Sequence, residues 1–323
     1  MAMEPVASSA KVTPRSGLRA EKRAPLSKHV WMNRYLYLML IPGLAYYLIF
    51  HYLPMYGAII AFKNFNLSKG ILGSPWAGLY HFRELFGQDK FWEVFRNTLL
   101  ISLYRLIFGF PAPIIAALLL NEVRKMAFKR TIQTIIYLPH FVSWVIMGGI
   151  LVSLLSLDYG MINHLLARIG IEPIPFLSSP SYFRSVLVGS MIWKEFGWNT
   201  IIYMAALAGI NPQLYEAAMI DGASRFQRML YITLPGIKHT IVILLILRMG
   251  YMMEAGFEQI FVLLNATVIS VADIIDTYVY QLGLEEGQFS LAAAVGLFKS
   301  LINFSLLLIA NRLAKAMGER GLY

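Results

Sequence analysis

No cysteine occurs in the 323 residues, which excludes a disulfide framework, a thiol nucleophile and any thiolate metal site. Charge is scarce as well. Asp, Glu, Lys and Arg make up 14% of the chain, against roughly 25% in soluble globular proteins, so no large soluble domain fits. The chain has no G-x-x-x-x-G-K-[ST] segment and therefore no phosphate loop with which to bind and hydrolyse ATP. Its histidines, His29, His51, His81, His140, His164 and His239, are scattered without H-E-x-x-H or any close ligand spacing, which argues against a metal site. Paired carboxylates in a loop motif, as a membrane-embedded saccharide-processing enzyme would need, are also missing. Asp273, Asp276, Glu285 and Glu286 only make one predicted loop acidic.

What is abundant is apolar. Hydrophobic residues reach 58% and the mean hydropathy is +0.59, which places the chain in a bilayer. Apolar runs long enough to cross when tilted are predicted at 35–62, 97–121, 131–156, 183–210, 241–263 and 289–312. The fold class expected is an all-α membrane protein, a six-helix transmembrane bundle. Residues 1–34 are basic, contain Ala, Ser and Pro, and show no apolar periodicity, so they are predicted to form a disordered tail ahead of a transmembrane domain over 35–323. A cleavable signal peptide is not expected, because the following apolar stretch is far longer than such a region and lacks a small-residue cleavage site. The net charge of +10 is not spread evenly and does not imply a nucleic-acid partner. Lys and Arg crowd segments 1–34, 122–130, 211–240 and 312–323, whereas 264–288 has none. The excess of positive charge on one set of loops predicts that both termini and the 211–240 loop are cytoplasmic.

Charged groups inside the spans cost at least about 2.5 kcal/mol each at the bilayer centre unless they face protein or water. They are Arg105, Lys194, Glu195, Arg248, Glu254, Glu258 and Lys299. Lys194 and Lys299 fall near the midplane, and Glu254 and Glu258 are predicted to share one face of the fifth span. Two readings stand side by side: mutual pairing that locks the bundle, or a wet path for a polar, acidic solute. On the second, Lys194, Trp198, Glu254 and Lys299 line the path. Aromatic rings such as Trp193, Trp198, Tyr203, Tyr251 and Tyr280 fit either sugar stacking or helix packing. A gradient-driven secondary transporter with a proton relay through Glu254, Glu258 and Lys194 also fits these charges, although no internal repeat supports it.

The most informative stretch is 216–235, EAAMIDGASRFQRMLYITLP. Asn211 and Pro212 are suited to start a helix, and Ala217, Ala218 and Ala223 keep one side thin enough for another backbone to approach. Gly222 allows a sharp turn, and Ser224 with Gln227 forms a capping box for a second short helix. That helix is predicted to end at Thr233 and Leu234, ahead of Pro235. Each signal alone would suit a plain loop between membrane helices. Together, the order Glu216-Ala217-Ala218, Gly222, Ile232 and Leu234-Pro235 resembles the EAA signature of permease subunits of bacterial ABC importers. The resemblance extends over about 35–323. Ile192-Trp193-Lys194, Gly256-Phe257-Glu258-Gln259-Ile260-Phe261, Ala272-Asp273-Ile274-Ile275-Asp276-Thr277-Tyr278 and Gly296-Leu297-Phe298-Lys299-Ser300 resemble the carbohydrate-uptake branch, most of all the larger permease subunit of alginate importers.

The resemblance implies a type I importer permease in the bacterial inner membrane that moves an oligo- or polysaccharide from periplasm to cytoplasm. The implied partners are a second, similar permease, two cytoplasmic ATPase subunits and a periplasmic solute-binding protein. No cofactor is expected in this chain, since ATP and Mg would be bound by the ATPase subunits. Glu216, Ala217, Ala218, Asp221, Gly222 and Ala223 would form the cytoplasmic coupling helix and its turn, within a coupling loop at 211–240, on which an ATPase subunit docks.

Overall fold

The computed structural model describes residues 31–319 and residue 321. Most of the expected N-terminal tail lies outside these. The chain divides into two compact units, Met1–Tyr56 and Gly57–Tyr323. In the first, residues from Arg34 to Tyr47 are helical and continue through a π-turn at Leu48–Tyr52, with the Tyr46 ring against Tyr47, Phe50 and His51. The helical run α1 covers Arg34–Phe62.

The second unit contains α2 (Tyr80–Phe86), α3 (Asp89–Glu122), α4 (Met126–Phe141), α5 (Trp144–Leu155), α6 (Met161–Arg168), α7 (Pro180–Ala208), α8 (Pro212–Ile220), α9 (Arg225–Gly236), α10 (Lys238–Gly250), α11 (Phe257–Leu263), α12 (Ile275–Tyr280) and α13 (Phe289–Ala316). Among the described residues the sole extended pairing is an isolated bridge between Lys63 and Trp76. α1, α3 and α13 are each long and apolar enough to cross a membrane, and the bent pairs α4–α5 and α9–α10 raise the number to five. α7 is 29 residues long and less apolar because Lys194, Glu195 and Asn199 sit inside it. At 1.5 Å of rise per residue it is nonetheless long enough to span a bilayer.

α7 packs along α3, and α10 along α13. Ile101, Met147, Leu151, Phe183, Leu187 and Ile260 form one buried cluster between α3, α5, α7 and α11. Leu85, Phe91, Met253, Tyr278 and Val295 form another under α12 and α13. Gly197 brings α7 against α4 so closely that a Cβ there would meet the Ile136 carbonyl.

Two predicted spans are not straight. The expected span 131–156 turns by 106° between α4 and α5. Pro139 sits in the 3-10 turn Leu138–Phe141, Val142 is extended, and Ser143 caps α5 by accepting from the Ile146 N–H at 3.3 Å. The expected span 241–263 stops at Gly250, and α11 starts only at Phe257, so Glu254 and Glu258 do not share a helical face. The break is built around Gly256, whose φ of +89° favours glycine and where a Cβ would run into the Arg105 guanidinium. Backbone freed by the break is taken up from outside, since Asn303 Oδ1 accepts from the Met253 N–H at 2.9 Å.

Prolines do not end helices here in the expected way. α9 runs on to Gly236 with Pro235 inside it, after a π-turn at Met229–Thr233. The same order recurs at Arg105–Gly109 before Pro111 and at Leu48–Tyr52 before Pro54. A proline lacks its N–H and crowds the carbonyl four residues back, and a widened turn just ahead of it relieves that crowding.

Candidate functional site

The 211–240 loop folds as a helix, a tight turn and a second helix. Asn211 Oδ1 accepts from the Gln213 N–H at 3.0 Å to start α8, whose first residue is Pro212. Gly222, at φ +76°, ends it: its N–H reaches the Met219 carbonyl at 3.2 Å, and the Ala223 N–H reaches the Ala218 carbonyl at 2.8 Å. This paired closure needs a left-handed residue at Gly222. Ser224 and Gln227 then form the expected capping box. Tyr215 Oη and Thr233 Oγ1, 3.0 Å apart, tie α8 to α9. Glu216, Ala217, Asp221 and Gly222 are exposed, and Ala218 and Ala223 half-buried. Beside them stand apolar side chains with nothing over them, Ile220 at 86% exposure, Phe226 and Tyr231. The loop thus offers a narrow apolar crest with charges at its flanks, as a protein-docking surface does.

A cavity of about 490 Å³ opens between α3, α7 and α10. Four charged side chains line it, Arg105, Glu195, Arg248 and Glu254, together with Asn199, Tyr203 and Tyr251. The ion pairs among the described residues all lie elsewhere, on Lys90, Lys238, Lys299, His81 and His239. Arg105 is buried and fixed. Its guanidinium donates to Gln259 Oε1, and Gln259 Nε2 donates to the Leu187 carbonyl at 2.8 Å and to Ser190 Oγ at 2.7 Å. Arg105 Nε has no hydrogen-bond partner. Unpaired charges of both signs around one hollow inside the bundle are tolerated where water or a polar solute fills it.

The structure places the four path candidates differently from one another. Glu254 lines the cavity. Lys194, 8% exposed, points to the bend between α4 and α5, where its Nζ donates to the His140 and Val142 carbonyls, both at 2.7 Å, and stands over the Trp144 ring. Those carbonyls are orphaned by the end of α4, and the ammonium satisfies them. Trp198, one turn on, stacks flat on His140 with ring centroids 4.5 Å apart. Lys299 pairs with Asp276 on α12. It is therefore Glu195 and Asn199, each one residue past Lys194 and Trp198, that face the cavity. The signal for them is the spacing of 195, 199, 202 and 203 on one helical face, which also carries Tyr203.

Two further ion pairs tie polar ends together. Asp273, fully buried, receives Lys90 Nζ at 2.9 Å. Glu319 receives Lys238 Nζ at 2.8 Å, and that hydrogen bond holds its carboxyl below the usual carboxylate range.

Apolar helices long enough to cross a membrane, a capped helix-turn-helix loop and a charged hollow among the helices of the second unit are the features of a membrane permease. A family model for the inner membrane component of binding-protein-dependent transport systems matches residues 109–319, and the chain belongs to that family. It is a permease subunit of the ABC import type, which sets the gradient-driven alternative aside. The polygalacturonan/rhamnogalacturonan transport system permease protein YteP of Bacillus subtilis is 50% identical over 305 residues, 94% of this chain and 95% of that protein. Protein LplB of Bacillus subtilis is also 50% identical, over 90% of this chain and 92% of that one. A crystal structure of a bacterial ABC transporter involved in the import of the acidic polysaccharide alginate matches with a TM-score of 0.84 at 42% identity, over 90% of this chain and 98% of that chain. A second, of the alginate transporter in complex with an alginate pentasaccharide-bound periplasmic protein, matches at TM-score 0.85 and 41% identity, over 92% of this chain and 99% of that chain.

Proposed function

We propose that this chain is one of two permease subunits in an ATP-driven importer of an oligo- or polysaccharide rich in acidic sugars, alginate or a galacturonan among them. A second, similar permease completes the path, two cytoplasmic ATPase subunits bind ATP and Mg, and a periplasmic protein delivers the saccharide. The observation that carries this reading is the cavity with Arg105, Arg248, Glu195 and Glu254 unpaired around it. Guanidinium groups match carboxylates, while carboxylates and Asn199 match sugar hydroxyls. The relatives named for acidic polysaccharides support the same class.

Glu216, Ala217, Ala218, Asp221, Gly222 and Ala223 dock one ATPase subunit, with both chain termini on the same cytoplasmic side. ATP-driven closure of the ATPase pair moves α8 and α9, and α10 carries that motion to Arg248 at the cavity. Glu254 lines the saccharide path. Lys194 and Trp198 shape it by holding the α4–α5 bend, and Lys299 by holding α12 through Asp276.

The test is uptake by the assembled complex in proteoliposomes. Uptake of oligogalacturonide or oligoalginate is expected to require ATP and binding protein and to persist with a protonophore. Uptake that continues without ATP and collapses with the protonophore would overturn the reading.

A further inference from the structure

A cleft of about 450 Å³ lies apart from both the cavity and the docking loop, lined by Asn64, Asn66, His81, Glu84, Gln288 and Phe289 among others. It sits at the N-terminal end of α13. The chain just past the other end of α13 is tied by Glu319 to Lys238, near the end of the docking loop. With 28 residues in α13, the cleft and the loop stand about 42 Å apart, at opposite ends of the bundle.

The groups in the cleft are polar and under-used. α13 begins without a side-chain cap, and the N–H groups of Phe289, Ser290 and Leu291 have no acceptor among the described residues. His81 is 9% exposed. Its Nε2 lies 3.2 Å from the Lys63 carbonyl and 3.1 Å from Asn64 Oδ1, so Nε2 carries a proton toward the carbonyl. Nδ1 has no hydrogen-bond partner and stands 3.7 Å from Glu84 Oε2. Asn66 accepts from the Ser68 N–H through Oδ1 at 2.9 Å, which leaves its NH₂ free. Gln288 donates to Glu286 through Nε2 at 2.8 Å, which leaves its carbonyl oxygen free. Phe289 meets Phe65 edge to face. No Lys or Arg lines the cleft, and the neighbouring Lys63 ammonium is taken by the Ile71 carbonyl at 2.7 Å.

Free amide donors, carboxylate and carbonyl acceptors and an aromatic ring, with no cation, suit a ligand that donates and accepts through hydroxyls and has an apolar face. A carboxylate would meet Glu84, with Glu286 behind Gln288, and only the open N–H groups at the start of α13 to offset them. We propose that this cleft is a second saccharide contact, at the end of the bundle opposite the docking loop, which grips the hydroxyls of a sugar ring and does not read its acid group. It rests on the reading of the chain as a saccharide importer subunit, and it divides the work: charge is read in the cavity, hydroxyls at the mouth.

The experiment photolabels the whole assembled complex with diazirine-bearing oligogalacturonide and, in parallel, a diazirine-bearing maltooligosaccharide of equal length, and maps the labelled peptides by mass spectrometry. Both probes are expected to label residues 64–66 and 287–291, and Gln288→Leu or Glu84→Leu to weaken that labelling about 3- to 10-fold while the complex still assembles, as the loss of one hydrogen bond implies. Labelling confined to the acidic probe, or no labelling by a complex that imports saccharide, would overturn the proposal. So would variants that lose binding-protein-stimulated ATPase with labelling unchanged, since the cleft would then dock the binding protein. A complex labelled here by both probes that imports neither leaves this contact standing and removes the transport reading instead.

Discussion

Lys194 illustrates how a single buried cation divides between two jobs that look alike in sequence. Its depth in α7 is legible from the chain; its partners are not, because they are main-chain carbonyls fifty-odd positions away that become orphans only when the fourth helix bends. Lys194→Met keeps the stem and removes both charge-assisted hydrogen bonds, which leaves the His140 and Val142 carbonyls unsatisfied at a cost of about 2–4 kcal/mol. The purified complex is expected to melt at lower temperature and to lose uptake of acidic and neutral oligosaccharides together. A variant that keeps its melting temperature and loses only acidic substrate would make the ammonium a path group after all. Lys299 is a similar case, since Asp276 was visible only as part of an acidic loop and not as its counter-ion. Arg105, by contrast, was marked by its position inside an apolar run, but nothing in the sequence says that Gly256 and Gln259 close around it.

Helix starts were the most readable elements, because capping is local: Asn211 with Pro212, and Ser224 with Gln227, are decided within four residues. Helix ends and bends were less so. Pro235 is a stop signal on its own, and only the widened turn at Met229–Thr233 lets the helix pass it. The break at 251–256 is hidden in the sequence, since the apolar run continues across it and hydropathy is blind to backbone direction. The docking turn gives a test at this scale. No atom lies within 4 Å of where a Cβ at Gly222 would stand, so a side chain there fits in space and is strained by φ alone, at about 1–2 kcal/mol. Gly222→Val is expected to loosen the turn and to lower ATPase stimulation by saccharide-loaded binding protein severalfold without preventing insertion. Full stimulation with normal uptake would remove this turn from the coupling role.

At the scale of the whole molecule, the helical membrane class is legible from the apolar runs, and where Lys and Arg collect predicts the side on which each loop lies. The chain contains no cysteine to interfere, so single-cysteine variants report orientation directly. Ser178→Cys and Ser270→Cys are expected to react with an impermeant thiol reagent in intact cells opened only at the outer membrane, and Ser224→Cys to react only after lysis. The reverse pattern would invert the topology. The ion pair from Glu319 to Lys238 has a mechanical consequence. α10 and α13 lie along each other and are pinned together at the loop end, so they behave as one strut rather than two. If the loop docks an ATPase subunit as proposed, a push delivered there would be shared by a helix that ends beside the charged hollow and by one that ends at the polar cleft about 42 Å away. On the readings proposed above, saccharide held at the cleft and an ATPase subunit docked at the loop would be coupled through this strut, and binding at either end would change the affinity at the other by the same factor.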